Sequence, residues 1–178
     1  MVASAAALQL ASPPIPRTRL IGREPERITA RALLLDEAVP LLTMVGPGGV
    51  GKTRLALAVT SDVAHAFADG VVFVDLAPIR DPVLVLSALA AALGIHGTGE
   101  RLLPDVLRDA LHPRQILLVL DNCEQVLDAA PDIAALLSSC PAMQVLATSR
   151  ARLSIQGEQV LTVPPLAIPL RADASVAD

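Results

Sequence analysis

The sequence is poor in lysine, cysteine and aromatic residues, and each scarcity narrows what it can be. Of 14 basic residues, 13 are arginine and one, Lys52, is lysine; tryptophan and tyrosine are absent. Part of that bias reflects base composition and carries no structural meaning, but it makes the single retained lysine conspicuous. Two cysteines, Cys123 and Cys140, lie 17 residues apart with no C-x-x-C pairing. That spacing argues against a disulfide scaffold or a zinc site and fits a reducing cytoplasm. No uncharged apolar run reaches the roughly 18 residues of a membrane span. No basic segment precedes the short Ala/Leu stretch at the N-terminus, as a secretory signal would require. A net charge of −4 leaves no general basic surface for nucleic acid. His65, His96 and His112 share no metal-ligand spacing, and no Ser-His-Asp grouping or paired-carboxylate arrangement stands out.

Apolar residues make up 53% of the 178, enough for one domain with a substantial core and incompatible with disorder over most of the chain. Residues 1–18 are Ala-rich and then Pro-rich, and read as a flexible tail ahead of a domain at 19–168; residues 169–178 read as an unstructured C-terminal tail. Ile28, Ala32 and Leu35 recur at helical spacing between Glu24 and Ala38, and Pro40 ends that helix. Strand-length apolar runs follow at Leu41–Val45, Val71–Val74, Ile116–Leu120, Val145–Ala147 and Gln159–Val163. Helical patterns separate them, around Leu55–Val63, over 82–93, over 102–110 and from Val126 to Leu137. Both-face-buried strands alternating with helices specify an α/β fold with a parallel sheet.

The motif with the most chemistry is Gly46-Pro47-Gly48-Gly49-Val50-Gly51-Lys52-Thr53, which fits G-x-x-x-x-G-K-[ST] at every fixed position. An apolar strand precedes it and an amphipathic helix follows, as a phosphate loop requires. The glycines let successive N–H groups point at phosphate oxygens, and the helix aims its positive end at the same charge. Lys52 would reach the β- and γ-phosphates, and Thr53 would place its hydroxyl on Mg²⁺. Arg54, next in the chain, counts with this nucleotide-contacting set. A metal also needs a carboxylate at the end of a neighbouring strand, and Asp121 closes the third one. Asp75 competes for that role from the second strand, with a turn or cap as its simpler reading. Arg150, after Thr148-Ser149, is placed either to face a γ-phosphate or to sit in a surface loop. Ile21-Gly22-Arg23-Glu24-Pro25-Glu26 is a helix start with acids in its first turn.

Taken in order, these motifs resemble the nucleotide-binding domain of STAND-class signalling NTPases, the relatives of NB-ARC domains. The resemblance looks closest to bacterial versions in LuxR-type and tetratricopeptide-containing regulators. It rests on residues 20–26, 46–53, Leu117 to Glu124, Ala147 to Arg150 and 157–166, and spans about residues 18–168. It implies a three-layer P-loop sandwich with five parallel strands in the order 5-1-4-3-2. It also implies that Ile21 and Arg23 lie near the nucleotide base and that Arg150 senses the γ-phosphate. The expected ligands are ATP or ADP with Mg²⁺.

Two departures shape the functional expectation. Related ATPases carry a second acid directly after the metal-binding Asp; here Asn122 stands there, and an amide cannot accept a proton. Glu124 follows two residues later, where its simpler reading is an acid in the first turn of a helix. The resemblance leads one to expect helical and winged-helix parts that do not occur before Asp178, so the expectation is a fragment, a truncated reading frame or a degenerate gene product. The expectation is a cytoplasmic ATP/ADP switch domain with slow or no hydrolysis, working with downstream domains and by self-association, without direct nucleic-acid or membrane contact. Its alternatives are an active AAA-type ATPase using Glu124 as base, and a fragment without function.

Overall fold

A computed structural model describes residues 8–96 and 99–166. Helix α1 spans Glu24–Leu34, strand β1 Leu41–Val45, α2 Lys52–Val63 and β2 Val71–Asp75. They are followed by α3 over Val85–Ala92, α4 over Leu103–Leu111, β3 over Leu117–Asp121 and α5 over Ala130–Ser139. Strands β4, Gln144–Ser149, and β5, Glu158–Thr162, complete the sheet. All four strand pairings are parallel, and the order is β2-β3-β4-β1-β5. This is the order 5-1-4-3-2 expected from the sequence.

Alternating side chains of β1 to β4 enter opposite cores, which is why these strands read as continuous apolar runs. Leu42, Met44, Leu117, Val119 and Leu146 pack under α1 and α2 against Ala30, Leu34, Leu55 and Val59. Val72, Val74, Leu118, Leu120 and Val145 face the other way, against Leu86, Leu89, Leu107, Ile133 and Leu136 of α3, α4 and α5. The three layers place every strand's carboxyl end along one rim, where ligands bind in open parallel sheets.

Three elements differ from the sequence expectation. Helix α1 stops at Leu34 rather than continuing to Ala38, because the Asp36 carboxylate accepts the Ala38 N–H and closes a local turn. The helix expected from Val126 begins only at Ala130; two single 3₁₀ turns, Cys123–Gln125 and Leu127–Ala129, precede it. The third difference is the N-terminal segment, which is docked from Leu8 onward. The Phe73 N–H donates to Ala11 O at 2.9 Å, and the Ala11 N–H donates to Ala92 O at 2.8 Å. Leu8 and Leu10 pack against the core on either side of exposed Gln9, the period of an extended strand. The strap then passes Pro13–Pro16 over Leu57 and Ser61 of α2. The expected C-terminal tail, 169–178, and the first seven residues lie outside the described residues.

The docked strap has a measurable consequence. Leu8→Ser with Leu10→Ser removes partly buried apolar area, and the expected cost is about 2 kcal/mol in urea denaturation. Ile15→Ser, at a side chain 90% exposed, is the control and leaves the midpoint unchanged.

Candidate phosphate-binding site

The rim over β1, β3 and β4 is where the sequence motifs meet. β1 hands over to the glycine loop at Gly46, whose N–H donates to Ser149 O of β4 at 3.3 Å. On the other side, the Val163 N–H donates to Val45 O at 2.7 Å. This clamp brings Val163 O so close that a Cβ at residue 46 would sit 2.4 Å from it, so only glycine fits. The loop ends at Gly51, in left-handed backbone at φ 92°, which turns the chain directly into α2. Among the described residues no side chain caps the start of α2. Its first-turn N–H groups, which have no intrahelical acceptors, and its positive dipole end are therefore available to an anion.

Lys52 lies at this helix start, 8% exposed, and its Nζ donates to Gly46 O at 2.8 Å and Pro47 O at 3.0 Å. An ammonium has three donors, so one remains for a ligand. Thr53 donates its hydroxyl to Asp121, 2.8 Å from Oδ1 and 3.0 Å from Oδ2. The two candidate metal ligands are thus already in contact. A hydroxyl and a carboxylate beside a phosphate cradle form the oxygen donor set that suits Mg²⁺, which keeps several waters and few protein ligands.

Asp121 is 4% exposed, and it holds more than Thr53. Thr148 Oγ1 donates to its Oδ1 and accepts the Asn122 N–H at 3.0 Å. Thr148, 1% exposed, is a site residue that sequence reasoning did not single out. Its place opposite Met44 in the β1–β4 register is a long-range pairing that no local pattern announces. Asn122 adopts left-handed backbone, φ 64°, and its amide Nδ2 donates to Asp121 Oδ2 at 3.0 Å and Asp75 Oδ1 at 3.3 Å. Asp75 and Asp121 are register partners on β2 and β3, and the Asn122 amide is the neutral bridge between them. Asp75 also accepts the Ala77 N–H at 2.9 Å, the turn role its position allows, while the Thr53 hydroxyl is bonded to Asp121.

Glu124 is an acid in the first turn of a helix, but that helix is the single 3₁₀ turn Cys123–Gln125 and not the start of the α-helix expected from Val126. It sits in the 3₁₀ turn after β3, 14% exposed, with Oε1 3.3 Å from Arg150 Nε. Arg150 in turn leans over the loop, where its Nη2 would lie 3.3 Å from a Cβ at residue 48. The thiol of neighbouring Cys123, packed in the core, is pushed up to about 12 by burial, with the Asp121 and Glu124 charges adding to the shift. It is a packed side chain and no nucleophile at neutral pH.

A cavity of about 240 Å³ adjoins the loop, lined by Ile21, Arg23, Gly49, Val50, Gly51, Arg54 and Leu166 among others. Ile21 is 77% exposed at its mouth, whereas Arg23 is 2% exposed. The Arg23 guanidinium donates to Val50 O at 2.8 Å, Pro164 O at 2.6 Å and Glu26 at 2.8 Å. Burial opposes ionisation of Glu26, but its own backbone N–H and Arg23 together hold its carboxyl below the usual range. Arg54 is turned to the strap, donating to Thr18 O, Thr18 Oγ1 and Arg19 O at 2.6–3.0 Å.

A family model for an AAA domain matches residues 37–158, from before β1 into β5. The chain belongs to the AAA domain family. This AAA domain is 43% identical over 149 residues to a Mycobacterium tuberculosis protein named as an HTH-type transcriptional regulator, covering 83% of the chain and 16% of the relative. It is 39% identical over 121 residues to the regulatory protein AfsR of Streptomyces griseus, covering 62% of the chain and 12% of AfsR. The chain thus spans a small part of these curated relatives. Among solved structures, it resembles Cdc6p from Pyrobaculum aerophilum with a TM-score of 0.63 at 17% identity, covering 85% of this chain and 48% of that one. It also resembles the STAND protein with a tetratricopeptide repeat sensor from Pyrococcus horikoshii. There the TM-score is 0.51 at 18% identity, over 87% of this chain and 24% of that one. At these identities the likeness is one of fold, and the fold is that of a P-loop NTPase.

The Asn122 bridge makes a prediction about charge. Asn122→Asp places a third carboxylate beside Asp75 and Asp121, and like charges raise the pKa of the introduced group above its unfolded value. The penalty is therefore absent in acid and grows as pH rises through the carboxylate range. Denaturation at pH 7 should show a loss of about 1–2 kcal/mol against wild type, shrinking towards pH 4.

Proposed function

We propose that this AAA domain is a nucleotide-operated switch that binds ATP and ADP with Mg²⁺, and that the identity of the bound nucleotide, rather than turnover, is its output. The observation that carries the reading is the junction of an uncapped helix start bearing Lys52 with the Thr53–Asp121 contact at 2.8 Å. In this reading the loop N–H groups and Lys52 hold the phosphates, and Thr53 and Asp121 hold the metal. Bound Mg²⁺ supplies charge neutralisation at the phosphate oxygens. Ile21 and the cavity walls at Val50 and Leu166 accommodate the base. Arg23 contributes by fixing Val50, since its guanidinium hydrogen bonds are directed to carbonyls and Glu26. Arg54 contributes through the strap.

The switch acts within a longer regulator, as the small share of each relative's length implies. Transcriptional control would then be an activity of the whole protein, exerted by repacking against its other parts. Slow hydrolysis follows from Asn122, whose amide is engaged with two carboxylates and cannot take a proton. A second reading, a working ATPase with Glu124 as base, is favoured by one observation: Glu124 is directed to Arg150 over the phosphate loop.

Lys52→Ala should abolish binding of a fluorescent ATP analogue while circular dichroism retains the α/β signature; unchanged affinity would overturn the assignment. Phosphate release by the wild-type chain under saturating Mg-ATP should stay below about 0.01 s⁻¹, under the usual range for enzymes with all catalytic parts assembled. A rate near ~1 s⁻¹ that disappears in Lys52→Ala would establish the ATPase reading instead.

A further inference from the structure

The Glu124–Arg150 pair has an asymmetry that the switch reading does not use. Arg150 is 64% exposed at the side chain and Glu124 only 14%. Glu124 Oε1 lies 3.3 Å from Arg150 Nε, while Oε2 is buried with no hydrogen-bond partner among the described residues. Among those residues Arg150 is the sole cation paired with this carboxylate. Moving Arg150 away would leave a mostly buried charge uncompensated, whereas Arg150 itself would remain solvated.

The same guanidinium overlies the phosphate loop at Gly48. We propose that Glu124 is a specificity-determining residue that weights the site towards diphosphate over triphosphate nucleotide by holding Arg150. This rests on the nucleotide-binding reading. The loop N–H groups and Lys52 serve the phosphates that both nucleotides share. The terminal phosphate of a triphosphate extends towards Asp121 and the end of β4, where Arg150 stands, and it competes with Glu124 for the guanidinium. A diphosphate leaves the pair intact. Breaking the pair therefore opposes the triphosphate alone.

The test is a double-mutant cycle in binding, not in turnover. Titration calorimetry with Mg²⁺ measures Kd for ADP and for a non-hydrolysable ATP analogue on the full chain, in wild type, Glu124→Gln, Arg150→Ala and the double variant. Glu124→Gln conserves side-chain volume, so the fold is retained. It should tighten the triphosphate analogue by about three- to tenfold and leave ADP unchanged. Arg150→Ala should weaken the triphosphate alone. On the Arg150→Ala background, Glu124→Gln should give little further gain, because the hold on Arg150 is already gone. A Glu124→Gln variant with an unchanged or lowered preference for triphosphate overturns the proposal. So does a gain that persists in full without Arg150, which would make Glu124 a general source of negative potential. Wild-type protein that binds neither nucleotide overturns the nucleotide reading, and this inference with it.

Discussion

One carboxylate organises the carboxyl rim of the sheet. Asp121 is almost fully buried, and a buried charge is tolerable only when it is saturated by donors. Thr53 supplies one from the start of α2, Thr148 one from β4, and Asn122 one from the turn after β3. Asn122 carries the network on to Asp75 at the end of β2. Four of the five strands are thus tied at their carboxyl ends, directly or through the loop that follows them, to a single anion. The register Asp75↔Asp121 and Met44↔Thr148 is what makes these contacts reachable. A slip of two residues in either pairing would keep the apolar faces correct and still dismantle the rim, so the polar network specifies register where hydrophobic alternation cannot.

The glycine loop and the Thr53–Asp121 pair were legible because each has a local or well-spaced signature, whereas the strand order came from the family resemblance that the motifs carry. What escaped the sequence depends on distance in space. Thr148 reads as a residue just past the fourth strand, ahead of Arg150 and without a role of its own; only the β3–β4 pairing brings its hydroxyl to Asp121. Glu124 looked like an acid at a helix start because apolar periodicity resumes at Val126. The chain first makes two 3₁₀ turns, and these direct Glu124 towards the rim. Asn122 was read for what an amide cannot do. Its observed role, separating two carboxylates with a neutral donor, needs Asp75 from another strand. The Ala/Pro-rich N-terminus hid a docked strap because its composition is that of a linker. Among the described residues its attachment comes from two backbone hydrogen bonds at Ala11, two leucines spaced at period two and the Arg54 grip on Thr18 and Arg19, too scattered to register as a pattern.

The strap and the segment after β5 also explain why arginines outside the phosphate motif belong with the site. Arg54 holds Thr18 and Arg19, and Arg23 holds Val50 and Pro164. Neither guanidinium is aimed at a ligand as a lone donor. Each fixes backbone that lines the cavity beside the loop, and Arg's several donors in a planar fork suit it to gripping more than one carbonyl at a time.

Arg23 makes that cavity a clasp. The chain arrives at it through residues 19–23 and leaves it through Val163–Leu166, and one buried guanidinium fastens the arriving and departing strands of polypeptide to the phosphate loop between them. Pro164 and the cavity wall at Val50 share one guanidinium group, so a displacement of Pro164 is passed through Arg23 to that wall. Motion of either lead reaches Val50, two residues before Lys52, through a single side chain.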